Sequence, residues 1–296
     1  TPALSSAASD VYKRQVRELF TRSLTSKRDR NAQLCVYVGE NRVVDLWATN
    51  GAEPFSPDSL VNVFSSGKSI ECILLAMLAD QGLLNFAERV ATYWPEFVGT
   101  EKDKNRLTVA DVMRHEAGLA SLNITLSPEQ LTASALKQNA VGQVLEQHPL
   151  RFAGASGSPR EYHAITRGWI ANEIFRRVEP TGRTMGEFLR DEVSLPLGID
   201  VYFDVTDDQA ENICRVQARR WGAQLLDSFS PGSQARSIGL TPTEMLTRMR
   251  RILPSVRRLR RMQKPMPMTG MREELFGTFD SAPWLPAQVP SAGAKC

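Results

Sequence analysis

Apolar residues recur three and four positions apart near the start of the chain and alternate with polar residues directly afterwards. The first pattern predicts a short amphipathic helix that begins at Val16. The second pattern, over residues 33–38, predicts a strand, and Gly39-Glu40-Asn41 predicts the turn that follows it. Because residues 42–47 alternate again, we expect a β-hairpin over residues 33–47 whose apolar face is available to a helix.

Helical spacing returns in the next apolar segment, which Gly82 ends. This helix is apolar on nearly every side, which predicts that it is buried. Its main apolar positions are Ile70, Ile73, Leu74, Met77 and Leu78.

Two further helices are predicted to begin at Thr108 and Thr184. Each threonine is followed three residues later by an acidic residue, Asp111 or Glu187, which is typical of a helix capping box. The second part of Tyr162 to Val178 also has a helical pattern. We interpret approximately 83–205 as a helical subdomain whose loops form a cleft against the sheet.

A serine and a lysine stand three positions apart where the extended stretch 60–64 meets the apolar helix. The residues are Ser65-Ser66-Gly67-Lys68. Residues three apart on a first helical turn share a face, so the Lys68 amine can reach the Ser65 hydroxyl. Burial lowers a lysine pKa towards that of a useful base, and a helix N-terminus adds a positive partial potential.

Two other motifs begin correctly but each lacks a required residue. Gly67-Lys68-Ser69 ends like a phosphate-binding P-loop, but the glycine that this loop needs at position 62 is Asn62. His115-Glu116 begins like the zinc-protease motif H-E-x-x-H, yet Leu119 stands where the second histidine belongs. His115 is therefore interpreted as a structural residue whose ring closes the end of a helix.

Tyr162-His163-Ala164 follows a glycine- and serine-containing loop and precedes a predicted helix. A tyrosine in this place can present its hydroxyl at the edge of a cleft. A packed aromatic side chain is the alternative interpretation.

Composition narrows the class of protein. The 296 residues are 42% apolar and 23% charged, which excludes a disordered chain and collagen-like repeats. The net charge of +3 gives no reason to expect affinity for nucleic acid or anionic lipid. No apolar run reaches the roughly 18 residues that span a bilayer. The 4 cysteines and 3 histidines predict neither a disulfide framework nor a zinc site.

One basic cluster, Arg248 to Lys264, leaves two interpretations open. It is either a nucleic-acid or lipid patch, or a solvated helical face with methionine and leucine buried on its other side. The second is preferred, so no nucleic-acid partner is expected.

The N-terminal residues 1–15 are interpreted as a leader that is not native to the protein. Residues 5–15 read SSAASDVYKRQ, which resembles the translated end of a transposase sequencing adapter. The alternative is a disordered leader rich in serine and alanine. We therefore expect one domain over residues 16–296 and make no prediction of cellular location.

Four segments together carry a family resemblance. They are FSSGKSIECILLAMLADQGLLNFAERVATYWPEF, LTVADVMRHEAGL, REYHAITRGWIANEIFRR and EFLRDEVSLPLGID. The resemblance resumes in the terminal VPSAGAKC. In this order they resemble the serine β-lactamase-related family, near its class C-like and esterase branches. The resemblance implies an α/β (α+β) fold: an antiparallel sheet flanked by helices, with an inserted helical subdomain.

The resemblance also implies a mechanism. In that family the serine that matches Ser65 is acylated, the lysine that matches Lys68 helps to deprotonate it, and the tyrosine that matches Tyr162 shares the proton transfer. No cofactor or metal is implied, and the expected substrate is a small ester or amide. A catalytically silent binding or assembly module is the alternative, although such a relative has no need to keep all three residues.

Two departures from the family pattern modify this expectation. Class C enzymes carry Y-x-N, whereas the third position here is Ala164, which favours esters or small amides over β-lactams. The family's third motif, K-T-G or H-x-G on a central strand, is absent after Asp200. We therefore interpret the chain as a fragment that lacks C-terminal strands and a helix, and we expect this form to be inactive. The sequence leaves the oligomeric state open.

Overall fold

A computed structural model describes most of the first 214 residues of the chain and a few at its end. The described residues are 3–4, 11–25, 30–51, 54–99, 102–122, 124, 126–152, 160–214, 288, 290, 295 and 296. The basic cluster Arg248 to Lys264 lies outside them.

Helices outnumber strands in the described part of the chain. The strands are β1 Ala3–Leu4, β2 Asn31–Val38, β3 Asn41–Thr49, β4 Leu60–Val61 and β5 Ile213–Cys214. The α-helices are α1 Val11–Thr25, α2 Gly67–Asp80, α3 Val90–Tyr93, α4 Val109–Met113, α5 Ala133–Lys137, α6 Ala140–Gln147, α7 Thr166–Val178, α8 Met185–Phe188, α9 Leu195–Leu197 and α10 Asp207–Ala210. Short 3-10 helices are Phe64–Ser66, Pro95–Val98, Lys102–Arg106 and Pro128–Leu131, and a π-helix, Leu189–Ser194, joins α8 to α9.

The predicted β-hairpin is confirmed. Strands β2 and β3 pair antiparallel, and β1 pairs antiparallel with the other edge of β3, which gives the order β1-β3-β2. The turn is shorter than expected, because Asn41 already pairs with Val38, and Gly39 supplies a positive φ of 58°. Alternate residues of β3 are buried, and α1 packs against this strand as expected.

Helix α1 begins at Val11, so the predicted start at Val16 is wrong. No glycine or proline stands between Val11 and Val16, and nothing in the local sequence stops the helix from extending into the leader. Ala3 and Leu4 pair with Thr49 and Ala48. The proposed adapter origin of residues 1–15 stays a prediction.

The main core lies between α2, α7 and the short helices of the middle of the chain. From α2, Leu74, Leu75 and Leu78 are fully buried. The prediction that this apolar helix is buried holds for only part of α2, because Ile73 is 56% exposed. An apolar pattern all round a helix does not reveal which side the fold covers, and α7 packs against only one side of α2.

Both predicted capping boxes are present. The Thr108 hydroxyl accepts from the Asp111 amide while the Asp111 carboxylate accepts from the Thr108 amide, and Thr184 and Glu187 repeat this exchange. These reciprocal bonds satisfy amides that the first turn of a helix leaves without partners. They fix the starts of α4 and α8.

The extended stretch before Ser65 is held on both sides. Strand β4 pairs in parallel with β5, and Asn62 forms an antiparallel bridge with Lys295. This pairing sets where the chain enters α2. Among the described helices, none is long and apolar enough to cross a membrane.

Candidate active site

Ser65 lies in the 3-10 turn Phe64–Ser66, which runs directly into α2. Phe64 has a φ of 46°, in the left-handed region that residues other than glycine seldom adopt. Its amide donates to the Asn62 side-chain oxygen at 2.9 Å, which helps to hold this conformation. Such strain costs roughly 1–3 kcal/mol and persists where the surrounding structure enforces it. The turn leaves Ser65 exposed at the start of a largely buried helix.

The structure brings together the predicted residues Ser65, Lys68 and Tyr162. The Ser65 Oγ lies 2.7 Å from the Tyr162 hydroxyl, and the Lys68 Nζ lies 3.4 Å from the same Oγ. Lys68 also donates to the main-chain oxygen of Ala164 at 2.7 Å. Its Nζ is 5.0 Å from the centre of the Tyr162 ring. The serine hydroxyl therefore has a phenol and an amine within reach of its proton.

The surroundings lower the pKa values of both potential bases. Burial lowers the pKa of Lys68, and this effect outweighs the opposing contributions of Tyr162 and Glu71. Burial alone raises the pKa of Tyr162, but hydrogen bonds with Ser65 and Lys68 and the positive charge of Lys68 outweigh it, so that pKa is also lowered. A base with a lowered pKa is unprotonated in a larger fraction of molecules at neutral pH.

Two histidines lie beside Tyr162. The ring of His115 is 4.9 Å from the Tyr162 ring, centre to centre, and 5.6 Å from that of His163. The buried His163 donates through Nδ1 to the Glu161 carbonyl at 2.6 Å and accepts the Leu119 amide at Nε2 at 3.1 Å. These bonds fix its neutral tautomer. His115 does lie at the end of α4, as predicted, but its ring makes a longer-range contact, because Nδ1 accepts the His163 amide.

Comparison with known proteins decides the family. A sequence model described as Beta-lactamase matches residues 16–285. The chain belongs to the Beta-lactamase family. This confirms the resemblance that the segment containing Ser65 and Lys68 and the three segments after it predicted.

A relative and two solved structures show how this member compares with others. The chain is 35% identical over 185 residues to the esterase/beta-lactamase LipL of Mycobacterium tuberculosis, a match that covers 61% of this chain and 40% of LipL. A penicillin-binding protein homologue from Caulobacter crescentus is 24% identical, with a TM-score of 0.69 over 99% of this chain and 68% of that chain. A family VIII carboxylesterase is 22% identical, with a TM-score of 0.70 over the same shares. The two structures confirm the predicted α/β fold of the Beta-lactamase family.

A buried ion pair behind the site was not foreseen from the sequence. Glu71 of α2 is fully buried, and its Oε2 lies 2.9 Å from Nη2 and 3.0 Å from Nε of Arg167 in α7. The same Nη2 donates to the main-chain oxygen of Lys68 at 3.0 Å. The only signal in the sequence was an acidic residue within the apolar run IECILL. In this member of the Beta-lactamase family, the pair joins the helix of Ser65 and Lys68 to the helix that follows Tyr162.

The ion pair leads to a stability prediction. Arg167→Met leaves the Glu71 carboxylate buried without its cation, and we expect a loss of about 3–5 kcal/mol in the free energy of unfolding. Glu71→Leu combined with Arg167→Met removes both charges, and its loss should be smaller than that of Arg167→Met alone. Denaturant unfolding of the variants measures both values.

A surface pair supplies the matched control. Arg42 lies 2.9 Å from Asp45 and its side chain is 56% exposed, so Arg42→Met should cost no more than about 1 kcal/mol. Equal losses for Arg167→Met and Arg42→Met would contradict the role given to the buried pair.

Proposed function

We propose that this site is the acyl-transfer centre of a serine hydrolase that acts on a small ester or amide. The observation that carries the proposal is the convergence of the Tyr162 hydroxyl and the Lys68 amine on the Ser65 Oγ, at 2.7 and 3.4 Å. A hydroxyl next to a base and a cation is the arrangement that nucleophilic catalysis by serine requires. The names of LipL and of the carboxylesterase support a hydrolase.

Acylation begins from the form of the Lys68–Tyr162 pair that lacks one proton. Either the Tyr162 oxygen is a phenolate, or Lys68 is neutral and takes the phenol proton as Tyr162 receives the proton of Ser65. The Ser65 Oγ bonds to the substrate carbonyl carbon as its proton passes to the Tyr162 oxygen. The carbonyl oxygen takes the negative charge, which the positive end of α2 stabilises. The tetrahedral intermediate then collapses, and the leaving alkoxide or amine takes the proton from Tyr162 as its bond to carbon breaks.

Deacylation repeats these steps with water. Water attacks the acyl carbon, and one of its protons passes to the Lys68–Tyr162 pair. The bond between the acyl carbon and the Ser65 Oγ breaks, and Oγ takes that proton back. The product is a free carboxylic acid, and the site returns to its starting state.

Ala164 bears on the choice of substrate. Its carbonyl oxygen accepts a hydrogen bond from Lys68, while its side chain is a methyl group without donor or acceptor. Class C β-lactamases resemble this chain elsewhere but carry an asparagine amide at the corresponding place in Y-x-N. We infer that the site favours substrates that need no amide contact there, which esters satisfy.

A fluorophosphonate probe tests the nucleophile. In the full-length protein the probe should modify Ser65, and Ser65→Ala should abolish labelling, because the Ser65 hydroxyl lies beside both Lys68 and Tyr162. Intact-mass and peptide mass spectrometry measure the extent and the position of the adduct.

Ser66 is the matched control for this labelling. It is an exposed serine next to Ser65, and Ser66→Ala should leave labelling unchanged. An adduct on Ser66 or Ser69, or labelling that persists in Ser65→Ala, would overturn the assignment of the nucleophile.

The proposed function also predicts a substrate preference. p-Nitrophenyl acetate or butyrate should be hydrolysed with a higher kcat/KM than a chromogenic cephalosporin. Loss of one hydrogen bond to a substrate amide costs roughly 1–3 kcal/mol, or about tenfold to more than a hundredfold in rate.

Steady-state kinetics with both substrate types measure this preference. Ala164→Asn is the informative variant. It should reduce the ratio of kcat/KM for the esters to kcat/KM for the cephalosporin. A wild-type kcat/KM that is higher for the cephalosporin than for both esters would reverse the inferred preference.

A further inference from the structure

The segment that carries Tyr162 is held by one residue on both sides of the tyrosine. The amide of Glu161 donates to the His115 carbonyl oxygen at 3.1 Å. The amide of His163 donates to the His115 Nδ1 at 3.0 Å. The backbone before Tyr162 and the backbone after it are thus bound to the same residue. The two bonds restrict where the Tyr162 side chain can point.

The conformation of His115 allows this double contact. Its φ of 67° is left-handed, and histidine, asparagine and aspartate are the residues other than glycine that are enriched there. The amide of His115 still bonds to the Val112 carbonyl at 3.1 Å, so α4 anchors the residue. The His115 ring contacts the Tyr162 ring directly. Strain of this kind is concentrated at functional sites.

The bond from His163 requires an unprotonated Nδ1 on His115. The groups that face His115 are Lys68 from α2, Arg167 from α7, and Arg160, Tyr162 and His163 from the Tyr162 segment. Burial, assisted by the charges of Arg167, His163, Lys68 and Arg160, lowers the pKa of His115 to about 4. His115 therefore keeps its acceptor at neutral pH, with the ring proton on Nε2.

We propose that His115 is a positioning residue that clamps the Tyr162 segment and so holds the Tyr162 hydroxyl against the Ser65 Oγ. The inference rests on the proposed function for its effect on rate, but the placement of Tyr162 can be tested without turnover. His115 touches neither Ser65 nor the reacting carbonyl in this account. It acts through Tyr162.

Loss of the clamp should affect the chemical step more than substrate binding. The Ser65–Tyr162 contact is 2.7 Å long, and a displacement of about 1 Å at a catalytic group can cost on the order of 100-fold in rate. A displaced Tyr162 also moves away from Lys68 and Ser65, whose hydrogen bonds lower its pKa. The pKa of Tyr162 should then rise.

Two variants distinguish the effect of losing the side-chain acceptor from the effect of changing the backbone strain. His115→Asn places a side-chain oxygen near the position of Nδ1 and tolerates a positive φ. His115→Gly also tolerates a positive φ but has no side-chain acceptor. We expect His115→Asn to keep kcat within about threefold, and His115→Gly to lose about 30- to 100-fold in kcat with a much smaller change in KM. Thermal unfolding of each variant checks that it is folded.

The phenol titration of Tyr162 is the readout that does not depend on hydrolysis. The phenolate absorbance of each protein is compared with that of the same protein carrying Tyr162→Phe, which isolates the pKa of this one tyrosine. We expect that pKa to lie below the ordinary value of 10.0 in the wild type and in His115→Asn, and to rise in His115→Gly. The midpoint of the pH profile of kcat should move upward with it.

The outcomes distinguish the two proposals. A titration that responds to His115→Gly and not to His115→Asn supports the clamp even if Ser65 is not acylated, in which case only the proposed function fails. An unchanged Tyr162 pKa in folded His115→Gly, or an equal rise in both variants, overturns the clamp whatever the activity of the wild type.

Discussion

The buried ion pair between Glu71 and Arg167 is the interaction on which the site depends. It connects α2, which carries Lys68 and continues the turn of Ser65, to α7, which begins just after the Tyr162 segment. The proposed nucleophile Ser65 and the proposed base Tyr162 come from parts of the chain that are far apart in sequence, so their separation is set by how these two helices pack. The hydrogen bond from Arg167 to the Lys68 carbonyl oxygen links Lys68 directly to α7.

The same pair contributes two opposing charges to the surroundings of Lys68. Burial is the main cause of the lowered pKa of Lys68, and the positive charge of Arg167 lowers that pKa slightly further. The carboxylate of Glu71 acts in the opposite direction and outweighs the effect of Arg167 on the pKa of Lys68. The result is an amine and a phenol whose pKa values both lie below their ordinary values, with a neutral histidine packed against the phenol.

Local patterns in the sequence predicted the local features well. The alternation of apolar and polar residues predicted the hairpin, and a threonine followed three residues later by an acidic residue predicted two capping boxes. The three-residue spacing of Ser65 and Lys68 predicted their contact. Each of these depends on residues a few positions apart, and so a short window of sequence contains it. The position of Tyr162 between a loop and a helix indicated a hydroxyl at a cleft edge, but only the family resemblance linked it to Ser65, which lies 97 positions away.

The features that the sequence did not predict are those that depend on distant packing. Glu71 and Arg167 are 96 positions apart, and an acidic residue in an apolar helix gives no indication of its partner. The contacts of the His115 ring reach His163 across 48 positions. The exposed side of α2 was missed because apolar periodicity does not show which face of a helix the fold covers. The early start of α1 was missed because periodicity does not show where a helix begins when no helix-breaking residue precedes it.

The central claim is that Lys68 and Tyr162 act on Ser65 as one proton-transfer unit. A double-mutant cycle of Lys68→Ala and Tyr162→Phe, measured on the rate at which Ser65 is acylated by an activated ester, tests it most directly. If the two groups form one unit, the double variant should be about as slow as the slower single variant, because removing either group already disables the pair. Losses that multiply in the double variant would show that the two groups act independently and would contradict the account.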